Sequence, residues 1–83
     1  MTLPAELLLR LPPENSVFSL DFETPSLEDH TLEIASWAWR DANGLHSDAY
    51  SLIGTSPEFK VAFLAELVRR AKTIAFHNFK FDG

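Results

Sequence analysis

Two carboxylates, Asp21 and Glu23, stand two positions apart in VFSLDFET, residues 17–24, a run that is otherwise almost wholly apolar. An ionised carboxylate is costly to bury unless it is protonated, paired or bound to a cation. Strand alternation over residues 16–23 sets Phe18, Leu20 and Phe22 on one face and Val17, Ser19, Asp21 and Glu23 on the other, so the two acids share a face. A rigid strand that presents two carboxylates side by side suits a hard divalent cation such as Mg²⁺, which takes oxygen ligands in near-octahedral geometry. A second ion ~4 Å away would complete a clamp in which one ion activates an attacking water and the other stabilises the leaving oxygen. Such a clamp needs further acids. FHNFKFDG, residues 76–83, offers Asn78 and Asp82 at i and i+4, on one face if a helix begins near Asn78.

The elements that must position these groups can be read from periodicity and punctuation. Residues 4–11 suit a short helix or an arm, with Pro4 in the first turn and Pro12 and Pro13 ending it. A first strand runs over 16–23, and a polar connection containing Pro25 follows. LEIASWAWR, residues 32–40, reads as a second strand with apolar residues on both faces, as in a sheet covered on both sides. DANG, residues 41–44, is a hairpin turn into a third strand near 45–53. Ser56 is placed as an N-cap with Pro57 at the first helical position, and Thr55 and Glu58 have capping-box spacing. In the helix that follows, Phe59, Phe63, Leu67 and Ala71, with Leu64 and Val68 beside them, form the apolar stripe, and Glu66, Arg69 and Arg70 the opposite face. TIAFHN, residues 73–78, is a short buried strand, and a helix between sequential strands favours a parallel right-handed crossover. The fold expected is α/β: an antiparallel three-strand meander, a helix, then a strand parallel to the first. Residues 1–15 form an arm or short helix and 16–83 a single domain.

Composition narrows the function classes. In 83 residues, seven Lys and Arg stand against twelve Asp and Glu, a net charge of −5 that repels a phosphate backbone unless cations or a local basic patch intervene. The hydrophobic share of 46% is that of a globular chain. With no cysteine there is neither a disulfide framework nor a thiolate metal site, which suits a cytoplasmic protein. No apolar run approaches the ~20 residues of a membrane span, and MTLPAELLLRLPPENS lacks the basic and small-residue regions of a signal peptide.

The order of elements resembles the start of a ribonuclease H-like fold. DFET at 21–24 followed by HNFKFD at 77–82 resembles motifs I and II of the DEDD superfamily of 3′-5′ exonucleases, in particular the proofreading domain of family A, phage-type DNA polymerases. The D-x-E-T-x-x-L pattern is met at Asp21, Glu23, Thr24 and Leu27, and N-x-x-x-D at Asn78 and Asp82. By this resemblance Asp21, Glu23 and Asp82 are metal ligands for Mg²⁺ or Mn²⁺, and Glu23 also contacts the terminal nucleotide. Leu27 wedges against the terminal bases, Thr24 and Asn78 support the substrate site, and Phe81 fills an aromatic slot. The activity implied is two-metal removal of nucleotides from a single-stranded DNA 3′ end, in a bacterial or phage-infected cell. The resemblance covers motifs I and II only. Motif III, which in such enzymes adds a final Asp and a Tyr or His, has no counterpart in these residues, so the expected partners include the rest of the domain or a polymerase domain.

Other readings attach to the same residues. An alternating strand can show Asp and Glu to solvent, and Asn78 can be a plain helix cap. His30, His46 and His77 have no partners at metal-ligand spacing and read as structural. Trp37 and Trp39 share a strand face, where they serve the core or stack bases. DnaQ-like exonucleases or RNases use similar first motifs, which keeps RNA as an alternative substrate. A module without catalysis that docks on a partner polypeptide is the third reading.

Overall fold

A computed structural model describes residues 2–23 and 33–77, His77 by its backbone only. Their elements are α1 (Ala5–Arg10), β1 (Ser16–Glu23), β2 (Ile34–Asp41), β3 (Gly44–Ser51), α2 (Pro57–Arg70) and β4 (Ala71–His77). The four strands form one mixed sheet in the order β3-β2-β1-β4, with β2 antiparallel to both β1 and β3, and β4 parallel to β1. The chain is therefore α/β, with the meander, helix and parallel strand in the expected order.

Local chemistry explains the boundaries. Asn15 takes a left-handed φ of 59°, a conformation asparagine tolerates better than most residues, and turns the chain into β1 while its N–H donates to the Arg70 carbonyl. The β2–β3 turn is closed by the Asn43 N–H donating to the Asp41 carboxylate, and Gly44, at φ 121°, supplies the conformation that side chains disfavour. Ser56 caps α2 by accepting from the Phe59 N–H, with Pro57 inside the first turn. The Thr55 half of the expected capping box does not form, because the Thr55 hydroxyl donates to the Leu52 carbonyl instead.

Both helices lie on one face of the sheet. Phe18, Leu20 and Phe22 of β1 and Ala35 and Trp37 of β2 are buried there against Leu7 of α1 and Phe63 and Leu67 of α2, with Leu3, Leu11 and Leu52 closing the periphery. The leader thus packs into the same core as the strands. Three contacts hold it there. Arg10 chelates the Asp48 carboxylate through two hydrogen bonds of 2.8 Å and lies over the Tyr50 ring. The Trp37 indole N–H donates to the Arg10 carbonyl. Arg70 donates to the Leu8 and Pro12 carbonyls while its other edge pairs with Glu66.

Two expectations are corrected by this packing. Glu66 and Arg70 do not lie opposite the core stripe, since α1 brings free carbonyls to that flank of α2 and Arg70 satisfies them; Arg69 joins the cluster through Glu66 and Glu14. Val68 stands 65% exposed, outside the core. The second strand is covered on one face only by the described residues: Ile34, Ser36, Ala38 and Arg40 alternate with the buried Ala35 and Trp37 and none of them is buried.

Candidate metal centre

β1 is an interior strand, bordered by β2 and β4, and this sets the surroundings of Asp21. Its cross-strand neighbours are Ser36 on β2 and His77 on β4. The Asp21 side chain rises on the face away from the helices, where the neighbouring rows are small: Ser19, Ser36, Ala38, Ser47 and Ala49 floor a shallow depression of about 480 Å³ with Asp21 on its margin. Alternation accounts for this, because these residues pair with one another across the strands, Ser19 with Ala38, Ala38 with Ser47 and Ser36 with Ala49, and along each strand they alternate with core-facing residues.

Inside this setting Asp21 carries an unsatisfied atom. Its Oδ1 is buried and accepts no hydrogen bond among the described residues. Buried carboxylate oxygens without a donor are costly, so such an atom calls for a proton, a donor or a cation. Glu23 ends β1 on the same face and is exposed, with its backbone carbonyl accepting from the Glu33 N–H. Successive same-face positions of a strand lie about 7 Å apart, so the two carboxylates can lean toward a common point between them. Asp21 and Glu23 therefore share a face as their spacing requires.

Where the remaining site residues stand is partly a matter of topology. β4 runs parallel to β1, and its last residue, His77, pairs with Asp21. Thr24, Leu27, Asn78, Phe81 and Asp82 lie outside the described residues, as does His30. Among the described residues no cluster of three or more His, Cys, Asp or Glu side chains could hold a metal ion. Within the described residues, Asp21 and Glu23 are the two carboxylates on this face of β1. Their donor chemistry, a carboxyl oxygen without a partner among the described residues beside an exposed carboxyl group, fits a hard divalent cation better than a soft one.

Other charged groups on the sheet serve structure. His46 Nε2 lies 2.9 Å from Asp41 Oδ1, and its ring stacks on Trp39 with centroids 5.1 Å apart. That hydrogen bond, with the Asn43 N–H, holds the Asp41 carboxyl below its usual range. The pair sits on the helix-covered face at the far end of β2, away from Asp21. Trp37 is 2% exposed, so it is core and not a platform for bases. The feature that sequence reasoning did not single out is the small-residue floor. Its signal is present in the alternation of Ser36 with Ala38 and of Ser47 with Ala49.

The chain thus belongs to the α/β class, with a mixed four-stranded sheet, helices on one face and an acidic strand on the other. Comparisons with protein-family models, with curated proteins and with solved structures return no match. Among the described residues no helix is long and apolar enough to cross a membrane.

Proposed function

We propose that this chain is the N-terminal part of a ribonuclease H-like, metal-dependent 3′-5′ exonuclease domain that acts on a single-stranded DNA end, as in the proofreading of DNA polymerases. The observation that carries the reading is the buried Oδ1 of Asp21, without a partner among the described residues, on an interior strand, on the same face as Glu23 and beside the end of β4. The β3-β2-β1-β4 order, with β4 parallel to β1, supports the ribonuclease H-like part of it.

In this reading Asp21, Glu23 and Asp82 are the ligands of Mg²⁺ or Mn²⁺. The ions, when bound, supply an activated water and stabilise the leaving oxygen of the phosphodiester. The chain's own contribution is positioning. Hydrogen bonding of β1 on both sides fixes the Asp21 backbone, so its carboxylate needs little reorganisation to meet a cation. Glu23, exposed at the strand end, is free to reach both a cation and the terminal nucleotide. Thr24, Leu27, Asn78 and Phe81 are assigned to substrate binding. The net charge of −5 disfavours a bare phosphate backbone, so association with DNA depends on bound cations.

An oligonucleotide labelled at its 5′ end tests the activity. With Mn²⁺ the chain, alone or with the rest of an exonuclease domain supplied in trans, should shorten it stepwise from the 3′ end, and Asp21→Asn or Asp82→Asn should abolish the ladder. Shortening that survives both substitutions, or that persists in EDTA, would exclude these carboxylates from the reaction.

A further inference from the structure

The helix α2 is apolar on two sides, one buried against the sheet and the other largely exposed, with the half-buried Leu64 between them packing on the edge of the core. Phe63 and Leu67 are buried against the sheet. On the opposite side Val61 and Val68 are 66% and 65% exposed, although both are branched aliphatics of a helix whose polar residues gather elsewhere. Pro57, Val61, Leu64 and Val68 follow one another at spacings of four, three and four, the repeat of a helix that packs lengthwise on another helix. Two adjoining hollows run along this stripe. One is lined by Pro57, Glu58, Val61 and Ala62, the other by Val61, Leu64, Ala65, Val68 and Arg69, and each is bounded almost wholly by carbon.

The charges flanking the stripe select the partner and its direction. Glu58 lies in the first turn on the flank of the stripe and makes no ion pair among the described residues. Arg69 lies in the last turn on the same flank, held in place by Glu66 and Glu14 and still half exposed. A second α2 laid antiparallel across the first, with the two-fold axis near Leu64, sets Glu58 of each copy beside Arg69 of the other and Val61 beside Val68. The same arrangement opposes the two helix dipoles, whereas a parallel pair would bring like ends together. We infer that this chain self-associates as a symmetric dimer through antiparallel pairing of α2 about Leu64. A helix of 14 residues is about 21 Å long, too short to bury the ~1,200 Å² of a standard interface, so the dimer is weak and depends on concentration.

Sedimentation equilibrium of the full chain over a wide concentration range tests this. The expected result is a reversible monomer–dimer equilibrium that Val68→Glu, at an exposed position, weakens by more than about tenfold while circular dichroism stays unchanged. Charge exchange gives a sharper readout. Glu58→Lys alone and Arg69→Glu alone should each lose dimerisation, and an equimolar mixture of the two variants should recover it, since both cross-pairs are then of opposite sign. The chain has no cysteine, so Leu64→Cys introduces a single thiol near the axis, which should form a disulfide-linked dimer on mild oxidation. A chain that stays monomeric at every concentration overturns the inference. So does a dimer insensitive to Val68→Glu, or a mixture of charge variants that fails to recover.

Discussion

The two faces of the sheet are built from the same strands in alternation, yet they differ in what their side chains ask for. On the helix-covered face Phe18, Leu20, Trp37 and Phe63 interlock, Trp37 and Phe63 with ring centroids 5.9 Å apart, and the polar groups that intrude are matched. The Trp37 N–H, the Leu8 and Pro12 carbonyls and the Asp48 carboxylate all have partners there. On the other face the neighbours of Asp21 toward β2 and β3 are serine and alanine, and its buried Oδ1 has no partner among the described residues. The first face holds the fold together; the second carries the candidate site. Under the proposed function, stability and chemistry are divided between alternate residues of one strand, and substitutions should separate them.

The largest effect should come from the covered face. Phe63→Ala removes a fully buried ring that touches Trp37 and should cost about 3–5 kcal/mol, measured by urea unfolding. In a domain of this size that is a large part of the total. Next comes Arg70→Met, which keeps the aliphatic stem but strands two carbonyls and leaves Glu66 to Arg69 alone; a loss of about 1–3 kcal/mol is expected in the same assay. A result near zero would mean that water replaces the guanidinium and that the leader is held by its leucines.

Acid should loosen the covered face. Hydrogen bonds from Arg10, with help from the Ala49 N–H, bring the Asp48 carboxyl down to about 2, and those from Arg69 and then Arg70 bring Glu66 to about 2. Both values lie below those of an unfolded chain, so the stability these groups contribute is present above about pH 4.5 and is lost as pH falls toward 2. Melting temperature should fall across that window, and Asp48→Asn together with Glu66→Gln should flatten the fall; an unchanged slope would assign acid sensitivity to other carboxylates. Smallest of all, Ser47→Val on the open face of the edge strand should change stability by less than about 0.5 kcal/mol. A larger loss would show that this face carries structure of its own.

How far the sequence foretold this division depends on whether the deciding partner is near or distant along the chain. β1 was legible at both ends because strict alternation meets Asn15 on one side and the polar connection on the other. The start of α2 was legible because Ser56 and Pro57 act within one turn. Glu66 and Arg70 were misplaced for the opposite reason. Their spacing puts them on a flank that solvent would normally own, and only α1, some 60 residues earlier, brings carbonyls to it. The same distance effect hid the Arg10–Asp48 pair. β2 misled through composition, since Ile34 and Ala38 read as a second buried face although Ser36 and Arg40 share it. Of the site, the common face of Asp21 and Glu23 follows from alternation, whereas the burial of the Asp21 Oδ1 without a partner among the described residues is a matter of packing that no motif specifies.

The measurement that bears most directly on the account is Mn²⁺ titration of the folded chain at neutral pH, followed by paramagnetic broadening of amide signals and by the shift in melting temperature. Saturable broadening centred on Asp21 and Glu23, with a rise in melting temperature that Asp21→Asn removes while leaving the metal-free fold intact, is the predicted result. Broadening that ignores β1, or a melting shift that survives Asp21→Asn, would contradict it and leave the open face without a metal.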